Sequence, residues 1–167
     1  MPPARERPHA PDTRTASPGE GHDHVRLDGW VRKPLRIDDA LLAGFGLQAI
    51  PDFVVVCTFN GAHGGPRPMR GVPLRSLIDA AEPDFGKRTD FKRVALVAES
   101  REGYRALFSW NELYNTIIGD GVFVVADCAD APLPECTGPF ALVSAHDLAT
   151  GPRFVQRLAS LALRKLW

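Results

Sequence analysis

Hydrophobic and polar positions change period several times along this chain, and each change marks an element. "HVRLDGWVRKPLRI" (24–37) alternates around a Gly-Trp pair, as a strand with a bend would. "DDALLAGF" (38–45) clusters its apolar residues in a short helix, with Asp38 or Asp39 as the cap. "DFVVVCTF" (52–59) is a β-branched run of strand length, continuous enough to be buried on both faces. A glycine-rich loop, "NGAHGG", follows it. "VPLRSLIDAA" (72–81) then predicts a helix with Pro73 in its first turn and Leu74, Leu77 and Ile78 on one face.

Further along, "FKRVALVAES" and "YRALFS" are two strands joined by "REG", with Gly103 supplying the turn. "SWNEL" (109–113) is a capping box, in which Ser109 caps and Glu112 reaches back three residues later. "GVFVVADCAD" is another buried strand, "DAPLPECTGP" a proline-punctuated loop, and "FALVSA" a further strand. The last segment, "RFVQRLASLALRKLW", suits a helix through Val155, Leu158, Leu161 and Ala162 about as well as an alternating strand. Strands and short helices in this irregular order predict an α+β fold, not a doubly wound parallel sheet. No G-x-G-x-x-G or P-loop phrase supports a nucleotide-binding fold.

Composition narrows the function class. Twenty basic and twenty acidic residues leave no net charge, which argues against a nucleic-acid or anionic-membrane binder. The longest apolar runs are strand-sized, so no membrane span is expected. Residues 1–26 are proline-rich, polar and charged, and read as a disordered tail without a signal-peptide core; a single domain is expected over 27–167. Two histidines in that tail, "HDH", make a poor metal site without a second pair of ligands. Three cysteines do not form a secreted disulfide framework. A cytoplasmic location is the default, and Cys128 and Cys136 read as ordinary thiols.

The order of phrases carries more than any one of them. "GWVRKPLRIDDALL", a strand ending in Cys57, "RGVPLRSLIDAAEP", "EGYRALFSWNEL", "APLPECTGPFALVSA" and "GPRFVQRL" together resemble the sulfite oxidase-type molybdopterin-binding domain, from about Asp28 to Leu166. In that family the cysteine after the strand is the only protein ligand of molybdenum. The resemblance therefore implies a molybdenum-molybdopterin cofactor held at Cys57. A soft thiolate at a strand end suits a soft redox metal, whereas the plain alternative is a small apolar residue closing a buried strand.

Around Cys57 the sequence departs from the family. The usual glycine-asparagine-arginine-arginine phrase is here "CTFNGAHGG", which keeps Asn60 but no arginine pair, and the later lysine-tryptophan element is "RFVQR". The chain is expected to be a minimal, single-domain member. Asn60, His63, Arg70 and Arg153 are the candidate cofactor contacts, with Arg157 beside Arg153 as a further guanidinium for phosphate or pterin. Arg70 precedes the predicted helix start, where free N–H groups favour anions and an arginine could complete an anion pocket; it could equally pair with a surface carboxylate. Tyr104 matches the family's active-site tyrosine, the candidate catalytic residue, and its alternative is an aromatic covering the sheet. His146 and Asp147 lie where the family has a loop at the cofactor mouth. The implied reaction is oxygen-atom transfer on a small-molecule oxyanion or oxide. No haem motif is present, so electrons would pass to a separate partner. The competing expectation is a non-catalytic module that keeps the fold to hold a pterin-like ligand or a partner.

Overall fold

A computed structural model describes residues 24–57, 61–128 and 131–167. Among the described residues, ten strands form two five-stranded sheets, accompanied by three short α-helices. In the first sheet the order is β2 (Leu35–Ile37), β1 (Val25–Gly29), β10 (Leu158–Lys165), β5 (Val94–Ser100) and β6 (Arg105–Ser109). In the second it is β3 (Gln48–Cys57), β4 (Gly61–Pro73), β7 (Val122–Cys128) and β8 (Ala131–Pro132), with β9 (Ala141–Ser144) also pairing β7. Every pairing is antiparallel except β1 with β10, so the α+β expectation holds in its coarse form: mixed sheets with few short helices. β1 begins at Val25, two residues before the expected domain start.

Local chemistry explains most of these elements. Asp38 caps α1 (Asp39–Phe45), its carboxylate accepting from Leu41 N at 2.9 Å. Ser109 and Glu112 complete the capping box of α3 (Trp110–Asn115). Gly103 takes φ 87° in the β5–β6 turn, a region that costs a side chain but not glycine. α2 (Leu74–Ala80) buries Leu74, Leu77 and Ile78 as its spacing requires, but it starts one residue after Pro73, which sits at the cap and not in the first turn.

Three elements differ from the sequence expectation. The glycine-rich stretch after residue 60 is not a loop but the first half of β4, held extended by pairing with β3. The valine run of β3 is not buried on both faces: Phe53 is buried, while Val54 and Val55 are half-buried. The C-terminal segment is strand β10. It lies between β1 and β5, where both edges find ladder partners that a helix would leave unpaired.

Alternation then builds two cores on the two faces of the second sheet. Val122 and Val124 of β7 face the larger core with Leu96, Phe108, Leu161 and Leu163 from the first sheet and Leu74, Leu77 and Ile78 from α2. Val125 faces the smaller core with Ile50, Phe53, Met69, Leu133, Ala141, Val143 and Phe154. Close approach of β4 to β7 depends on Gly71, whose added Cβ would meet Val124 O at 2.3 Å.

Candidate functional site

The segment 145–154 connects β9 towards β10 and ties several candidate residues together. Arg153 lies at its centre. Its Nε and Nη2 donate to the two oxygens of Asp147 at 2.7 and 2.6 Å, and its Nη1 donates to Glu112 Oε1 at 3.0 Å and Leu107 O at 3.2 Å. The guanidinium also sits 4.2 Å from the centre of the Phe108 ring. Burial works against its charge, yet Asp147 and Glu112 outweigh that and raise its pKa above the ordinary arginine value. Four of its five N–H donors are therefore already engaged within the protein.

Tyr104 grips the same segment from β6's side. Its hydroxyl donates to Pro152 O, and its backbone N–H donates to Ser100 Oγ at 3.0 Å. The ring remains 48% exposed, so it can meet a ligand without repacking a core. Thr150 Oγ1 donates to Val54 O at 2.5 Å, and Phe154 packs edge-on against Phe53 at 5.5 Å. This segment thus joins the β5–β6 hairpin to β3. Cys57 ends β3 three residues past Val54, roughly 10 Å along the strand. Tyr104, Arg153 and the middle of β3 are thus tied to one segment.

Arg70 is elsewhere. It lies within β4, four residues before α2 and opposite Asp127 of β7, and takes the carboxylate alternative, donating to both Asp127 oxygens at 2.8 and 2.6 Å. His63 pairs with Val55, and Cys57 with Gly61; for Cys57 and His63 the description covers the backbone alone. Asn60 lies outside the described residues. His146 turns its Nδ1 to Ile117 O at 2.7 Å, and Cys128 and Cys136 form no disulfide. Among the described residues, no three His, Cys, Asp or Glu side chains gather as a metal site.

One recess was not legible in the residues alone. A cleft of about 670 Å³ opens between α1, residues 132–139 and the β5–β6 turn, and Arg101 and Arg157 line it. Arg101 reads locally as a turn residue, and only long-range pairing brings it beside Arg157: Arg101 N–H donates to Arg157 O at 2.9 Å.

No protein-family model matches this chain, and no curated protein matches it. Solved structures do. The crystal structure of the sulfane dehydrogenase SoxCD from Paracoccus pantotrophus superposes with a TM-score of 0.64 over 86% of this chain, at 18% identity. The likeness is one of fold. It covers 39% of the SoxCD chain, so the present chain spans well under half of that protein's length. Among the described residues no helix is long and apolar enough to cross a membrane.

Proposed function

We propose that this chain is a molybdopterin-binding domain of the sulfite oxidase type, acting in oxygen-atom transfer on a small oxyanion or oxide. The observation that carries this reading is Cys57 at the end of β3, in a chain with the fold of a sulfane dehydrogenase chain. One soft thiolate donor fits a molybdenum centre whose remaining ligands come from the pterin and oxygen. When bound, such a cofactor supplies a two-electron redox centre.

This chain's own residues would do the rest. Cys57 would hold the metal, with Asn60 and His63 next in the chain as cofactor contacts. Tyr104, half-exposed, would turn its hydroxyl from Pro152 O to a substrate oxygen. Arg153 would fix the 147–153 segment through Asp147 and Glu112, leaving one N–H for a ligand. Arg70 would stay paired with the Asp127 carboxylate across β4 and β7. The two electrons would leave to a separate partner.

A second reading has its own support. Arg70 and Arg153 are both paired with carboxylates, as they would be in a binding module that keeps the fold without the metal. Elemental analysis separates the two. The full chain and its Cys57→Ser variant are purified from a host that makes molybdopterin. Stoichiometric molybdenum in the wild type and its loss in the variant, with the apo-protein melting temperature unchanged, support the enzyme. A wild type without molybdenum supports the module, and a lowered melting temperature in the variant then marks Cys57 as a core position, at a cost of roughly 1–3 kcal/mol.

A further inference from the structure

β6 is the last strand of the first sheet: β5 pairs it on one side, and no strand among the described residues pairs it on the other. In an antiparallel edge strand every second residue gives both backbone groups to its neighbour, and the residues between turn theirs outward. Leu107 O accepts from Arg153 Nη1 at 3.2 Å, and Ser109 N–H donates to Glu112 Oε2 at 2.7 Å. Leu107 and Ser109 therefore belong to the outward set, and so does Arg105, two residues earlier. An open edge of this kind is a template for another strand.

The 147–153 segment lies along that edge. Where β6 begins, Tyr104 OH donates to Pro152 O. In the middle of the strand Arg153 reaches Leu107 O, and its guanidinium lies 4.2 Å from the centre of the Phe108 ring. Past the end of β6, Arg153 Nη1 donates to Glu112 Oε1 at 3.0 Å. These contacts follow the strand from one end to the other. One ion pair, Arg153 with Glu112, thus takes outward groups of two β6 residues, while both oxygens of Asp147 hold the guanidinium from within the segment. Arginine suits this place because its planar fork serves three acceptors at once, which a single ammonium does not.

We propose that this segment is a strap, fastened by Arg153, that keeps β6 from pairing with β6 of a second copy of this chain. The strand suits itself as a partner. An antiparallel pair with its two-fold axis at Leu107 sets that residue against its own copy, so that the two exchange N–H and C=O bonds across the axis. The same register sets Arg105 against Ser109 of the second copy, so no like charges meet. Arg105 is also held by its own Glu99 at 3.0 Å. Leu107 is 57% exposed, and the pairing would bring the two leucines together as a cross-strand apolar pair. The proposal goes beyond the molybdenum reading and does not depend on Cys57.

The test is sedimentation equilibrium of the full chain and its variants at matched concentration. Arg153→Met unfastens the strap and is expected to double the weight-average mass relative to the wild type. The Leu107 amide should then exchange more slowly as concentration rises. Adding Leu107→Pro should return the mass to the wild-type value, because proline removes an N–H that faces outward and leaves the β5 ladder whole. Leu161→Ala controls for lost stability: it weakens the larger core from β10 and should keep the wild-type mass. If Arg153→Met does not fold, Arg153→Lys carries the test, since one ammonium cannot serve Leu107 O and both carboxylates together, and it should associate as well. A folded Arg153 variant at the wild-type mass would overturn the proposal. So would association that persists with Leu107→Pro, which places the contact elsewhere, or equal association in Leu161→Ala, which makes it a consequence of instability.

Discussion

Arg153, expected as a cofactor contact, spends most of its hydrogen bonds inside the protein. Its guanidinium binds Asp147 and Glu112 and lies on Phe108. Asp147 has a side chain only 10% exposed, so removing its partner leaves a largely buried charge unpaired. Arg153→Met is expected to cost about 3 kcal/mol in urea unfolding, the lower end for a broken buried pair, because Glu112 stays partly solvated. Tyr104 should behave differently. Its hydroxyl bond to Pro152 O is made at a half-exposed position, so Tyr104→Phe should cost only about 0.5–1.5 kcal/mol. Under the oxidoreductase reading the same change should also lower turnover in metal-loaded protein. A stability loss well above that range would make the tyrosine a structural anchor.

Helix α3 joins local capping to the candidate region. Glu112 accepts from Ser109 N at 2.7 Å at the helix start and from Arg153 at 3.0 Å across the fold. Partial burial raises its pKa, but the bonds from Ser109 and the charge of Arg153 outweigh it and hold the carboxyl below its ordinary value of 4.5. A folded-state pKa below the unfolded one means the contribution is complete above the unfolded value and fades as pH falls through the folded one. Glu112→Gln should therefore lower stability at pH 7, and the gap to wild type should close steadily below about pH 4. Unfolding curves collected between pH 3 and 7 measure it. A gap that stays constant with pH would show that the side-chain shape matters and its charge does not. The capping box was legible in "SWNEL" because both partners lie within one turn. The Arg153 contact was not, since it spans 41 residues.

The two cores share one sheet, and that shapes how the molecule unfolds. Val124 and Val125 are neighbours in β7 yet belong to opposite cores, so neither core can be lost while the strand between them keeps its packing. Leu161→Ala in the larger core and Phe154→Ala in the smaller should each cost about 2–5 kcal/mol. Both should shift one cooperative transition, coincident by near- and far-ultraviolet circular dichroism. A separate early transition in Phe154→Ala would show that the smaller core melts alone. The fold likeness to the SoxCD chain covers most of this chain, but at 18% identity it speaks to the arrangement of these sheets and not to what they bind.

By itself the sequence determined whatever depends on near neighbours. Asp38 and Ser109 as caps, Gly103 in a turn, the buried stripe of α2 and the strand character of 94–100 and 122–128 follow from periods and caps within a few residues. Tertiary pairing decided the rest. "GAHGGPRP" became a strand because β3 lies alongside it, and "LASLALRK" became one because β1 and β5 flank it. Arg70 found its carboxylate partner in Asp127, 57 residues away. Arg101 and Arg157 meet only because β5 and β10 are neighbours in the first sheet. Hydrogen-bond ladders and ion pairs between distant segments leave no periodic trace in the chain, so where charge gathers in this protein is a property of its fold.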